Sequence, residues 1–301
     1  MKIRLNPIVK KDLQVTVRSM RISWGLFAYE AALAIAFIIA MRVIQEMSSY
    51  MSSGNIYSYL VYMFPVVAVV QVCIVALYIP IITASSISGE KERQTFDIML
   101  TTCMSPFSIV FGKVISAVLR ILFFVAASTP IMALSFVVGG LKWRNLFFYL
   151  LALILFSVFS GSIGIFSSAF CRKSVSAVIL SFVINFFVYF LTFLPLMFYS
   201  FFGRGKYGES MLLLLGNPVI FFEEFFVQMM SGESLFGNVS NVFDRDEVGL
   251  ITYALARGKV WMFTSAGCIL LLSFLFMALA AWKVNPMHSG SGRMRRKKKA
   301  E

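Results

Sequence analysis

Gly89-Glu90-Lys91-Glu92-Arg93-Gln94-Thr95-Phe96-Asp97-Ile98-Met99-Leu100 places five charges within eight residues, then gives way to Ser105-Pro106 and Gly112-Lys113. Long apolar runs lie on either side. Charge gathered into one short insert between two hydrophobic segments reads as a helical membrane protein with a polar docking element on one face. Glu90, Arg93 and Asp97 fall at helical spacing, as do Phe96, Met99 and Leu100. The insert therefore predicts an amphipathic helix over about 87–102, its charged face toward a soluble partner and its apolar face toward the membrane. A solvated connector is the plainer alternative, but it would not need Phe96, Ile98, Met99 and Leu100 directly after the charges.

Composition agrees with the membrane reading. Of the 301 residues, 59% are hydrophobic and 14% charged, and the mean hydropathy is +0.84. A soluble domain carries about a quarter charged residues, and a transmembrane barrel would show short alternating segments. The net charge of +13 lies mostly in the first 21 and last 19 residues. These flank hydrophobic spans, so the basic excess points to topology and anionic lipid headgroups and not to nucleic acid. Cys73 and Cys268 fall inside spans, and Cys103 and Cys171 on the side of the insert, so no structural disulfide is expected. His288 is the only histidine, and no metal-ligand spacing exists.

Six spans are predicted, at residues 24–44, 61–84, 113–138, 146–170, 175–202 and 260–282, each matching the roughly 20 apolar residues a bilayer core needs. An even number puts both termini on one side. Lys10, Lys11, Arg18 and Arg21, the Arg172-Lys173 turn, the charged insert and the basic tail share that side, which the positive-inside rule makes cytoplasmic. Residues 1–23 read as an amphipathic interfacial helix that opens at Asn6-Pro7 and lays its basic side chains on headgroups. Its late first apolar run argues against a cleavable signal. Residues 24–284 form the six-helix domain, and 285–301 a basic, disordered cytoplasmic tail.

Between spans five and six, the external loop at about 203–259 contains an apolar stretch interrupted by Gly216-Asn217-Pro218 and bearing Glu223-Glu224. Paired carboxylates would be costly in a full span, and a seventh span would put the basic tail outside. A re-entrant or surface-lying helical pair is the better reading. The fold class is thus all-α and polytopic, with six transmembrane helices, an N-terminal interfacial helix, a cytoplasmic coupling helix and a re-entrant external segment.

No phosphate loop, nucleophile elbow, zinc-protease helix or dinucleotide fingerprint is present, so the chain is expected not to be an enzyme. Glu30 and Arg120 stand early in the first and third spans as a candidate intramembrane pair, and independent snorkelling to headgroups fits them equally. Gln71 and Asn185 read as interhelical glue. Ser157, Gly161, Gly164 and Ser168 offer a small-residue surface for close packing, within one subunit or at a dimer seam. The 32 phenylalanines suit lipid contact and packing, or a pathway for an amphipathic cargo.

The insert also resembles the first cytoplasmic loop of type-2 ATP-binding-cassette (ABC) exporter permeases. Glu90-Lys91-Glu92-Arg93-Gln94-Thr95, Leu100-Thr101-Thr102, Ser105-Pro106 and Gly112-Lys113 carry the likeness, and Cys103-Met104 departs from it where proline is common. Asn6-Pro7-Ile8-Val9-Lys10-Lys11-Asp12-Leu13 is similar to the same family's opening pattern, and Asn217-Pro218 to its last external loop. The resemblance implies a half-transporter in a bacterial plasma membrane, paired with an identical or different permease subunit. Separate ABC ATPase subunits would use ATP and magnesium, with no cofactor bound by this chain. Glu90, Lys91, Glu92, Arg93, Thr95 and Asp97 would then transmit nucleotide-driven closure. Two other classes fit the same spans: a self-contained channel or secondary carrier, and a non-transporting scaffold subunit.

Overall fold

The computed structural model describes residues 20–50, 59–95, 106–194, 211–232, 234, 255 and 260–284. Over these the chain is helical: α1 (Met20–Tyr50), α2 (Met63–Glu92), α3 (Pro106–Ala127), α4 (Thr129–Val138), α5 (Trp143–Phe170), α6 (Ser174–Phe190), α7 (Pro218–Ser231) and α8 (Val260–Val284). Short 3₁₀ turns cover Leu191–Phe193 and Leu212–Gly216. Among the described residues six helices are long and apolar enough to cross a membrane: α1, α2, α3, α5, α6 with its 3₁₀ turn, and α8. The protein is therefore a multi-pass membrane protein.

The third span departs from its expected form. In place of one helix to Val138, α3 stops at Ala127 and α4 starts at Thr129, with Ser128 between them. Pro130 has no N–H to give the carbonyl one turn back, so the regular ladder lapses there. The axis still carries through, because Ser128 N donates to Phe124 O at 3.0 Å and Met132 N to Ser128 O at 3.0 Å. Pro80, inside α2, interrupts nothing comparable.

The centre of the bundle is α5, which packs most extensively on α2 and α8 and also on α6 and α3. Its apolar face meets Phe64, Phe136, Phe222 and Ile269 in the main core. Close approach to α2 depends on the small residues along it: Ser157, Gly161, Gly164 and Ser168 are all buried. A Cβ on Gly164 would stand 1.8 Å from Thr83 Oγ1 and 3.2 Å from the Ala84 backbone nitrogen. No side chain fits there, so the small-residue surface is a seam within the subunit. Large apolar side chains such as Ile38, Phe186 and Leu271 cover the outside, as lipid-facing positions require.

Candidate coupling face and intramembrane polar sites

Four helix ends gather at one end of the bundle: the end of α2, the start of α3, the end of α5 and the start of α6. A helix end leaves carbonyls or N–H groups without intrahelical partners. Three consecutive charges at the end of α2 answer those of its neighbours. Glu90 forms an ion pair with Lys113 of α3 at 2.7 Å, with Lys113 7% exposed and Glu90 27%. Lys91 Nζ donates to the carbonyls of Ser168 (3.2 Å), Ala169 and Cys171 (3.3 Å), capping the end of α5. Glu92 accepts from the Ser174 N–H at 3.0 Å and from its hydroxyl at 2.7 Å, at the start of α6.

Each sign suits its place. A cation lies at the negative C-terminal pole of α5 and a carboxylate at the positive N-terminal pole of α6. The residue in the N-cap position of α6, Lys173, offers no side-chain cap of its own, so Glu92 supplies it from another helix. One turn back, the N–H groups of Ile87 and Ser88 donate to Ser168 Oγ at 2.9 and 2.8 Å. The end of α2 is thereby tied to α3, α5 and α6 together.

Of the expected helix over 87–102, the structure describes residues 87–95. Residues 87–92 are the last turns of α2, and the helix ends in a Schellman motif: Thr95 N donates to Glu90 O at 3.0 Å and Gln94 N to Lys91 O at 3.2 Å. Gln94 has φ 58°, in the left-handed region usually left to glycine. That reversal ends the helical register of α2. Glu90, Lys91 and the exposed Glu92 are engaged by other helices, whereas Arg93 is exposed, as is Thr95, whose hydroxyl donates to Glu90 O at 3.3 Å. Asp97 and residues 96–102 lie outside the described residues. So do Lys10, Lys11, Arg18 and the side chain of Arg21, together with the tail.

A second polar cluster lies within the spans. Gln71 of α2 donates through Nε2 to Tyr29 Oη of α1 at 2.7 Å and to Ser128 Oγ at 3.1 Å. Tyr149 of α5 donates to Gln71 Oε1 at 2.9 Å. Ser128 itself donates to Val125 O at 3.0 Å. Interhelical glue is what Gln71 provides. Its partners were visible in the sequence only as isolated polar residues in apolar runs.

Asn217 holds the segment between spans five and six. Its side chain accepts from Val219 N at 2.8 Å, capping α7, and donates to Tyr189 O at 3.0 Å and Thr192 Oγ1 at 2.7 Å at the end of α6. Pro218 follows in the first turn of α7, where its missing N–H matters least. From there α7 runs along the half of α5 that begins at Trp143, with Phe222 against Phe156 and Phe225 against Tyr149. At 14 residues it extends about 21 Å, too short to cross the hydrocarbon core. The two acids separate: Glu223 is exposed, while Glu224 is fully buried and accepts from Gln228 Nε2 at 2.7 Å.

Glu30 and Arg120 do not pair. Glu30 Oε1 and Arg120 Nε are each buried without a hydrogen-bond partner, and no ion pair joins the two. Asn185 turns inward on its own helix, donating to Ser181 O at 2.8 Å and accepting from Tyr189 Oη at 2.9 Å.

No curated protein matches the chain. A family model described as ABC-2 family transporter protein matches residues 42–282, from within α1 to near the end of α8, and so takes in the α2 clamp, the Gln71 cluster and the Asn217 segment. On that match, over most of its length, the chain belongs to the ABC-2 family of transporter proteins.

Proposed function

We propose that this chain is the permease subunit of an ATP-driven exporter, forming the translocation pathway as a dimer and driven by separate ATPase subunits. Its termini and the charged end of α2 face the cytoplasm, in a bacterial plasma membrane. The observation that carries the reading is the three-way clamp. Arg93, Gln94 and Thr95 project from the end of a helix whose preceding three residues are fixed to α3, α5 and α6. A force applied at that tip moves four helices as one body instead of bending one.

In this reading the roles divide. Arg93 and Thr95, with Asp97 beyond them, meet the ATPase, while Glu90, Lys91 and Glu92 pass its motion to the bundle. The basic leader with Lys10, Lys11, Arg18 and Arg21 lies on the inner leaflet beside this contact. Asn217, Pro218, Glu223 and Glu224 shape a re-entrant external exit. The chain itself hydrolyses nothing and binds no cofactor, and ATP and magnesium belong to the partner. ATP binding then biases the conformation by its differential affinity for the two states of the docked pair.

A mild-detergent pull-down of the tagged chain from its host tests this. The expected result is a Walker-motif ATPase held in stoichiometric amount and lost on Arg93→Glu. The chain recovered alone, from membranes in which other complexes survive, would sink the proposal in favour of a self-contained carrier.

A further inference from the structure

Inward of the charged end of the bundle is a groove that the coupling reading does not use. It lies between α1, α2 and α3, has a volume of about 260 Å³ and is lined almost wholly by apolar groups. On α1 its wall is Gly25, Ala28, Tyr29 and Ala32, and the small residues at i, i+3 and i+7 leave room beside the Tyr29 ring over about 10 Å. Tyr78 of α2 and Ile121 and Phe124 of α3 close the other sides.

Arg120 is not itself part of the lining, but it lies close enough to Tyr78 of the α2 wall for its charge to act on that phenol. It adjoins Ile121 and precedes Phe124 by one turn, on nearly the same stripe of α3. It is seven residues past Lys113, about 10 Å further into the bilayer than the ion-paired end of α2, which keeps it within one leaflet. Its Nε is buried without a partner. Glu30 cannot neutralise it, because the register of α1 puts Glu30 on the opposite side of that helix from the Gly25, Ala28 and Ala32 wall. An arginine in hydrocarbon without a counter-charge is costly, and a phosphodiester matches its planar fork of donors.

We propose that this groove holds an anionic phospholipid from the leaflet at the charged end, with its phosphate on Arg120 and one acyl chain along the Gly25, Ala28 and Ala32 wall. The chain enters where the small residues leave room. The guanidinium reaches back along its own stem toward headgroup level. A zwitterionic lipid brings its own cation to the same position and gains less. This inference rests on the membrane fold alone and stands or falls apart from the ATPase.

The test uses the full chain, delipidated in non-ionic detergent and titrated with phosphatidylglycerol or with phosphatidylcholine of the same acyl chains. Native mass spectrometry reads the bound lipid, and thermal unfolding without lipid verifies that each variant is folded. The wild type is expected to retain one phosphatidylglycerol about tenfold more tightly than phosphatidylcholine, as one charge-assisted contact would give. Arg120→Gln should abolish that preference, and Arg120→Lys should keep part of it. Ala28→Phe, or Ala32→Leu where the first does not fold, should weaken both lipids together. Equal binding of the two lipids by the wild type would overturn the proposal, as would an undiminished preference in Arg120→Gln. Unchanged binding in a folded groove-filling variant would remove the groove from it.

Discussion

The end of α2 and the cluster around Gln71 are both places where α2 is fastened to other helices by polar groups, yet they use opposite chemistry. The first uses full charges on the stubs of neighbouring helices. The second uses an amide, two phenols and a hydroxyl between helices that are continuous or nearly so. The difference follows depth. At the bundle end, unfilled carbonyls and N–H groups are available and water is near enough to moderate the cost of a charge. Within the spans the backbone is already satisfied, an ion would be costly, and neutral donors and acceptors join the helices instead. The charged fastening is thus the one that a partner, or salt, can loosen.

The sharpest way to break the comparison is to open the seam that runs between the two sites. Gly164→Leu forces a side chain into Thr83 and the α2 backbone and should cost more than the ~1–3 kcal/mol usual for overpacking, because the obstacle includes main chain. Loss of the folded, inserted protein in a detergent chromatography assay is the expected outcome. A folded Gly164→Leu protein would mean the two helices are free to part.

Next in size is Glu90→Ala, which leaves Lys113 buried without its carboxylate. The expected loss is about 2–3 kcal/mol, at the low side for a broken buried pair because Glu90 is partly exposed. Thermal unfolding of Glu90→Ala, Lys113→Met and the double variant checks it. The double variant should recover part of the loss, whereas strict additivity would show that the pair does not interact.

Smaller again is Gln71→Leu, at about 1–2 kcal/mol, since Tyr149 keeps a second acceptor in Ala68 O at 3.2 Å. Its unfolding shift should be the same in low and high salt, while that of Glu90→Ala should shrink as salt rises. Equal salt dependence of the two would erase the distinction between them.

The sequence made the spans legible because length and hydropathy alone decide them. Six were expected, and six helices of that kind are found among the described residues. Periodicity served less well at the insert, since it assumes a helix that continues. The stop at Gln94 comes from hydrogen bonds between residues three and five apart, with no glycine to announce it. Pairing was the least legible level. Glu30 and Arg120 could be matched from the sequence only by depth, each about two turns from the expected cytoplasmic interface, and Glu30 Oε1 and Arg120 Nε are both left without a partner. Lys91 and Ser168, Glu92 and Ser174, and Gln71 and Tyr149 lie some eighty residues apart, and only the packing of α2 on α5 and α6 brings them together. Ser157, Gly161, Gly164 and Ser168 announced close packing without naming the helix that would approach.

The Lys91 ammonium has three N–H bonds, and three carbonyls of the α5 end receive them. An acylating reagent needs a free, unprotonated amine, so this lysine reacts only after it has let go of those carbonyls. Its labelling rate, set against that of the exposed Lys173, two residues past the Cys171 carbonyl that Lys91 holds, is therefore a clock for the release of α2 from its neighbours, readable in intact membranes without a transported cargo.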